Sequence, residues 1–427
     1  MRLLKRLNPK KTGKSESPPS LPRRDFFRNS ASVSLASIAA SNALAAQTTE
    51  PPAWMSVPGK PFSNYGQPSP HENTIRWIAD TPGSAGNGVS WTPLHQLEGT
   101  ITPNGLHFER HHNGVPDIDP AGHTLYIHGL VGKPLAFTLD RLHRYPLQSR
   151  VCFIECGGNS NAGWRENPLQ TPAGLIHGML SCSEWTGIPA HYLLEECGLG
   201  KSAKWVIAEG ADAFGMKVSI PLEKLLDDAI LALYQNGEAI RPENGYPLRL
   251  ILPGWEGVTQ VKWLRRLHVA DRPVMSRNET AKYTELQKDG TARQFTFPMQ
   301  TKSLITSPSY GMHLDGPGLY QISGLAWSGN GRIVRVEISS DGGNSWSEAG
   351  LEAPVLPKAL TRFRAPWRWD GKSAVLKSRA TDETGQLQPE RDQLIADRGR
   401  QGYYHYNAIV HWKVHPEGNI EHSYDNA

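Results

Sequence analysis

The alternation of apolar and polar positions changes character along this chain. Thr124–Gly129 (Thr-Leu-Tyr-Ile-His-Gly) and Ser149–Glu155 (Ser-Arg-Val-Cys-Phe-Ile-Glu) alternate or run apolar between turn signals, which predicts strands. Behind Pro221, Leu222, Leu225 and Leu226 carry the i, i+3, i+4 spacing of a helix with proline at its start. Ala190–Cys197, closed by Gly198, predicts a second helix with a glycine stop. Cys197 falls on its apolar side with Leu193 and Leu194, as a core residue. Pro247–Gly254 and Val261–Leu264 predict two buried strands. Strands and helices mix here without βαβ alternation, which favours an α+β domain over residues 95–275. Residues 47–94 are rich in Pro, Gly, Ser and Asn around isolated Trp54, Trp77 and Trp91, and predict an irregular wrapping segment. Residues 276–296 are polar and linker-like. From 297 to 427 the pattern becomes all-β. Ile333, Val334, Val336 and Ile338 mark a strand in which 334, 336 and 338 share a face. Ser340-Asp341-Gly342-Gly343 supplies turn chemistry, Ser345-Trp346 opens the return strand, and further strands follow at Val375–Ala380 and Tyr406–Val414. A sandwich is the natural arrangement.

Length agrees with two domains, since 427 residues exceed what one core usually organises. With 38% hydrophobic and 20% charged residues and a net charge of +4, the balance is too mild to argue for nucleic acid. The first residues are read apart from the fold. Arg23-Arg24-Asp25-Phe26-Phe27 precedes a weakly apolar run, Ala31–Ala43, and a small-x-small cleavage site, Ala43-Leu44-Ala45. That order resembles a twin-arginine leader over residues 1–46, which predicts export of the folded protein to the periplasm. No stretch approaches the roughly 18 apolar residues that span a bilayer. An oxidising destination permits two disulfides among Cys152, Cys156, Cys182 and Cys197, though a chain this long requires none. No Cys-x-x-Cys-His run is present to attach a c-type haem.

The candidate chemistry begins at Ile154-Glu155-Cys156-Gly157-Gly158-Asn159-Ser160-Asn161, where a strand ends at a cysteine and breaks into glycines and small polar residues. Such a loop presents a thiol at its tip and lets backbone approach a bulky group. Alone, a strand-end cysteine is more often structural. Its company changes that. Arg110-His111-His112-Asn113-Gly114-Val115-Pro116 lies upstream. Ser183-Glu184-Trp185-Thr186-Gly187, Gly245-Tyr246-Pro247-Leu248-Arg249 and Pro253-Gly254-Trp255-Glu256-Gly257-Val258-Thr259-Gln260-Val261-Lys262-Trp263-Leu264 lie downstream. In order and spacing these blocks resemble the sulfite oxidase family of molybdopterin enzymes. The hairpin Ser339–Trp346 resembles that family's C-terminal immunoglobulin-like dimerisation domain.

The resemblance implies an α+β molybdopterin-binding domain, an immunoglobulin-like sandwich and a molybdenum-molybdopterin cofactor, with Cys156 as the metal ligand. Thiolate ligation suits such a metal. By position, Arg110, His111, His112, Asp212, Asn244, Arg249, Gln260, Val261 and Lys262 match cofactor contacts, with Asn244 standing where members often carry histidine. Arg249 and Lys262 are charges inside apolar segments and demand partners. Arg110 would also orient substrate. Tyr283 falls at a substrate-pocket tyrosine and Trp185 at a pocket-wall tryptophan. Sulfite-oxidising members carry an arginine where this chain has Asn161, and a second one near Arg398-Gly399-Arg400-Gln401-Gly402. Losing a cation disfavours a small dianion and suits sulfur on a carrier protein's cysteine. That resembles the Sox-type sulfane dehydrogenase branch of the family, which implies a sulfur-carrier protein as substrate and a c-type cytochrome subunit as electron acceptor. It also implies a homodimer or a heterotetramer with the cytochrome. The alternatives are a periplasmic sulfite dehydrogenase and, from another class, a disulfide-stapled binding protein without a cofactor.

Overall fold

The computed structural model describes residues 51–424, so the leader expected over 1–46 lies outside the described residues. The chain divides into two units, Met1–Pro68 and Ser69–Ala427. The described part of the first holds a single short 3-10 turn, Ala53–Met55, with no buried residue. Among the described residues no helix is long and apolar enough to cross a membrane.

The second unit begins with two strands, Trp77–Asp80 and Gly88–Trp91, which form a three-stranded sheet with Arg110–His111. The stretch expected to be irregular to residue 94 therefore contributes a sheet. Two five-stranded sheets follow. In one, Thr124–Gly129 runs parallel to Leu264–Ala270, which pairs antiparallel with Trp205–Gly210. In the other, Gln148–Glu155 pairs with Leu180–Pro189, which pairs with Ile230–Gln235. Between them lie the helices Ala190–Cys197 and Leu222–Asp227. Both begin behind a proline, and the first stops at Gly198 with a positive φ of 69°. Leu125, Ile127, Leu193, Leu194, Cys197, Leu225 and Leu267 form a common core. Burial of each leucine or isoleucine contributes about 1.5–3 kcal/mol.

The strand Arg249–Ile251 is shorter than the pattern predicts, but its alternation is consequential. Leu248, Leu250 and Leu252 enter that core, which turns Arg249 to the opposite face. Val261–Leu264 is not a strand as expected. Trp263 takes a φ of +53°, Leu250 N–H donates to Val261 O (2.9 Å), and Ala211 N–H donates to Trp263 O (2.8 Å). Its backbone serves neighbouring segments, and a regular strand starts only at Leu264.

The sandwich packs a four-stranded sheet (Lys302–Ser307, Gly318–Trp327, Thr361–Trp369, Gly350–Leu351) on a five-stranded one. The five-stranded sheet includes Ile333–Ser339 and Ala374–Asp382. A register shift between Ile333 and Arg335 turns Val334 outward, so only Val336 and Ile338 of the expected face are buried. The return strand is Ser347–Glu348. Asp341 organises the turn before it, accepting from Ser345 N–H (2.9 Å) and Ser339 Oγ (2.7 Å). The sandwich core, with Leu304, Ile322, Trp327, Val336, Phe363 and Trp412, continues through Phe153, Leu180 and Cys182 of the sheet that carries Cys156. One continuous core thus backs the candidate site. All four cysteines are free thiols. Cys152 and Cys182 pack into different cores, because Cys182 lies opposite Phe153 rather than Cys152.

Candidate active site

The strand Gln148–Glu155 delivers Cys156 into a tight loop. Asn159 N–H donates to Cys156 O (2.8 Å), and Ser160 takes a left-handed φ of 63°. Gly157 has no room for a side chain, because a Cβ there would stand 2.6 Å from Glu256 Oε2. Buried charge fixes the loop from behind. Glu155 accepts from Trp327 Nε1 (2.6 Å), Asn159 Nδ2 (2.9 Å) and, at 3.5 Å, Lys302 Nζ. Lys302 also donates to Ser160 Oγ (2.6 Å), which contacts His177 Nδ1 (2.7 Å). Lys302 and Trp327 belong to the sandwich, so the second domain sets the position of the cysteine loop in the first. Burial pushes the Cys156 thiol up to about 11, against the pull of Gly158 N–H and the Arg110 charge. A thiolate here therefore requires a cation upon it, and loading a metal onto it would release that proton.

On one side of Cys156 lies a cavity bordered by Arg110, His111, His112, Asp212, Asn244, Arg249, Gln260, Val261, Lys262 and Tyr283. The structure thus gathers the expected cofactor contacts around one space. Arg249 is buried, and its guanidinium donates to Asn244 O (2.7 Å). Burial lowers its pKa to about 9. Lys262 Nζ donates to His111 Nδ1 (2.8 Å), Glu243 O (3.1 Å) and Arg110 O (3.3 Å). Burial and then the Arg249 charge hold Lys262 well below its ordinary value. His111 passes a hydrogen bond from Nε2 to Glu109 (2.7 Å), which also pairs with Arg76. His112 stacks on Phe214 at 4.3 Å, and burial followed by the Arg110 charge lowers its pKa to about 4. No ion pair to Arg249 or Lys262 is made among the described residues.

Two further atoms bear on what fills this cavity. Arg249 Nε and Gln260 Oε1 are buried without a hydrogen-bond partner among the described residues. Such atoms are rare unless something else satisfies them. Uncompensated cations beside an unsatisfied donor and an unsatisfied acceptor fit a group with both a phosphate and amide-like edges. A pterin phosphate has both. Arg249, Lys262, His112, Asp212, Asn244 and Gln260 would hold it, and Cys156 would supply a thiolate to a metal at its end.

On the other side of Cys156 a cleft of about 1030 Å³ opens to solvent. Its walls include Trp77, Ile78, Asn161, Arg165, Lys282, Tyr403 and Tyr404, and it shares Arg110, His112, Cys156 and Tyr283 with the cavity. Arg110 is fixed by neutral acceptors, Asn87 Oδ1 (2.8 Å) and Gly88 O (3.3 Å), so its charge is free to act on an anion. Tyr283 packs on Tyr404 (ring centroids 5.3 Å apart). Burial, then the neighbouring Cys156, raises the pKa of its phenol, which keeps it protonated as a donor. Tyr283 reaches this position because the expected linker folds. Ser276 and Glu279 form a reciprocal capping box on the helix Arg277–Ala281, and Tyr283 N–H then donates to Asn278 O (2.8 Å).

Two expectations are corrected. Trp185 borders neither the cavity nor the cleft. It is fully buried, with the Arg249 guanidinium 5.2 Å from its ring, so it supports that cation from beneath. The C-terminal stretch does not bring an arginine to the cleft. Arg398 pairs with Glu285 (2.6 Å) and donates to His405 O (2.9 Å) and Tyr404 O (3.1 Å), while Arg400 is exposed elsewhere. Those bonds present Tyr403 and Tyr404 instead. The sequence reading also missed Glu256 and His405, which meet at 3.2 Å behind Gly157. His405 N–H donates to Gly157 O (2.8 Å). Their separation of 149 residues leaves no local signal in the sequence.

Comparison with known proteins agrees with this geometry. Residues 112–278 match the oxidoreductase molybdopterin-binding domain, and residues 293–412 match the Mo-co oxidoreductase dimerisation domain. Mitochondrial sulfite oxidase of Mus musculus is 31% identical over 324 residues, covering 69% of this chain and 58% of that protein. The NADH nitrate reductase of Solanum lycopersicum is 32% identical over 345 residues, covering 70% of this chain and 37% of that protein. The chain thus spans little more than a third of that reductase. Among solved structures, the sulfane dehydrogenase SoxCD of Paracoccus pantotrophus matches with a TM-score of 0.80 and 44% identity. That match covers 88% of this chain and 99% of the other.

Proposed function

The chain belongs to the sulfite oxidase family of molybdopterin oxidoreductases, and we propose that within it the protein is a periplasmic sulfane dehydrogenase. In this reading it oxidises sulfur carried on a protein cysteine, within Sox-type thiosulfate oxidation, and passes the electrons to a c-type cytochrome subunit. The dimerisation domain supports assembly as a homodimer, or as a heterotetramer with that cytochrome. The observation that carries the substrate reading is the cleft. About 1030 Å³ of open space, walled by aromatic and aliphatic side chains and with neutral Asn161 on its wall, suits a large ligand better than a small free dianion.

The molybdenum cofactor supplies the two-electron oxidation of sulfur when bound. The chain's own residues do the rest. Cys156 would give up its thiol proton on loading and anchor the metal. Arg110 attracts the anionic sulfur and orients it beside Cys156. Tyr283, protonated, donates a hydrogen bond and leaves proton abstraction to solvent. Tyr403 and Tyr404 cover the apolar part of the incoming group and exclude water from it.

A sulfite dehydrogenase is the second reading, favoured by the exposed cations Arg165 and Lys282 on the cleft. Turnover of carrier-bound sulfane sulfur and of free sulfite by the molybdenum-loaded protein, with cytochrome c as acceptor, separates the two. Efficient use of carrier-bound sulfur and poor use of sulfite is expected. Asn161→Arg adds a charge-assisted hydrogen bond and should lower the KM for sulfite about tenfold. An unchanged KM would remove Asn161 from the explanation of specificity.

A further inference from the structure

One wall of the cleft has no role in the chemistry above. Among the described residues, the strand Trp77–Asp80 is the edge of its sheet and pairs with Gly88–Trp91 alone. Thr81 N–H donates to Asn87 O (2.7 Å), so in this antiparallel ladder residues 77, 79 and 81 bond inward. Ser90, opposite Ile78, agrees with that phase, because its own N–H turns away to Glu109 O (2.9 Å). The amide and carbonyl groups of Ile78 and Asp80 therefore project from the free edge. Folded proteins usually blunt such an edge with lysine, proline or a bulge. This one carries Trp-Ile-Ala-Asp, and Ile78 is 70% exposed. Trp77 is fixed by stacking on His95 at 5.4 Å, with the rings nearly parallel at 6°.

The edge borders the same cleft as Cys156. Trp77, Ile78, Ala79 and Thr81 line it together with Arg110, Arg165 and Lys282. Arg165 and Lys282 are exposed and make no ion pair among the described residues. An unpaired strand edge recognises extended backbone, and unpaired cations recognise negative charge.

Building on the carrier-bound substrate reading, we propose that the free edge of Trp77–Asp80 captures an extended segment of the sulfur carrier as a fourth strand. The cations Arg165 and Lys282 meet the segment's negative charge. The added strand holds the sulfur-bearing side chain over the cleft, and specificity for carrier-borne over free sulfur arises from backbone pairing at Ile78 and Asp80.

The test uses the molybdenum-loaded full chain and a fluorescent, unstructured ten-residue acidic peptide carrying one cysteine persulfide, whose outer sulfur can still be oxidised. Binding is read by anisotropy. Ile78→Pro removes an amide that no other strand uses, at an edge position where proline is tolerated, and should weaken binding at least tenfold. Ile78→Ala keeps the amide and should weaken binding by less. N-methylation of the peptide at successive positions reports strand pairing without altering the enzyme. Loss at every second position is expected. Equal affinity for all N-methylated peptides, or no binding by the unaltered chain, overturns the proposal. A shift in the chain's own oligomeric state with Ile78→Pro assigns the edge to a second copy and also overturns it. Periodic binding without oxidation of carrier-borne sulfur upholds the docking edge and refutes the substrate reading. Oxidation of that sulfur without periodicity does the reverse.

Discussion

The two sides of Cys156 are built on opposite principles. On the cavity side, buried Arg249 and half-buried Lys262 make no ion pair among the described residues, where Arg249 Nε and Gln260 Oε1 also lack a partner. On the cleft side, the cations Arg165 and Lys282 are exposed, and the walls are aromatic and aliphatic side chains contributed by separate segments. Unpaired buried charge costs stability in the empty protein and is recovered only by a ligand that stays. Shallow, solvated contacts suit a ligand that must leave after each turnover. The contrast distinguishes a site for a resident group from a site for a passing one.

The largest expected effect comes from breaking what both sides share. Lys302→Met leaves Glu155 buried beside the cysteine loop with its cation gone. Removing one partner of a buried pair typically costs about 3–5 kcal/mol. Thermal unfolding and metal content should fall together, although residue 302 borders neither the cavity nor the cleft. An unaltered metal content with lowered stability would show that the sandwich does not set the loop.

A smaller, one-sided effect follows from Arg249→Met. A charge-assisted hydrogen bond to the pterin phosphate group would be lost, weakening cofactor retention by about 10- to 100-fold. The empty protein should lose no stability and should gain some, because an uncompensated charge has left its interior. Opposite signs in the loaded and empty forms are the signature of a site made for an absent anion. A loss of stability in both forms would mean that the Trp185 stacking and the Asn244 bond outweigh the charge.

These two sides were not equally legible in the sequence. The cavity residues lie in contiguous blocks, Arg110–His112 and Gln260–Lys262. Strand alternation at Leu248, Arg249 and Leu250 also marks Arg249 as a misplaced charge with a purpose. The cleft has no such signal. Its walls come from the edge strand at Trp77, the loop at Asn161, the capped turn before Tyr283 and the return at Tyr403. Each segment alone is polar or irregular, and only the fold brings them together. The same limit explains Trp185, whose ring lies against the Arg249 guanidinium rather than on a pocket wall. Val334 failed for a different reason, since a bulge shifts the face of a strand in a way that alternation cannot show.

The smallest effect is one of pH, and it separates the sides by sign. In the cavity, burial followed by neighbouring cations lowers His112 to about 4, so it remains neutral across the neutral range. Behind the cleft, burial opposes a charged His405, but the hydrogen bond and charge of Glu256, with Glu285 beyond, outweigh it and raise its pKa above 6.5. A raised folded-state value means that protonation favours the native state. Its contribution is complete below the ordinary histidine value and is lost as pH rises through the folded value. His405 also donates its amide to Gly157 O (2.8 Å) and adjoins Tyr404, so the weakened contact lies at the cleft wall. Raising the pH from 6 toward 9 should therefore lower the thermal midpoint through this pair and increase hydrogen exchange at residues 403–405. Cofactor content should be unchanged. His405→Gln should flatten that part of the profile, because glutamine keeps a hydrogen bond to Glu256 without a titrating charge. A profile of the same slope in the variant would assign the pH dependence to other groups and leave the two sides electrostatically alike.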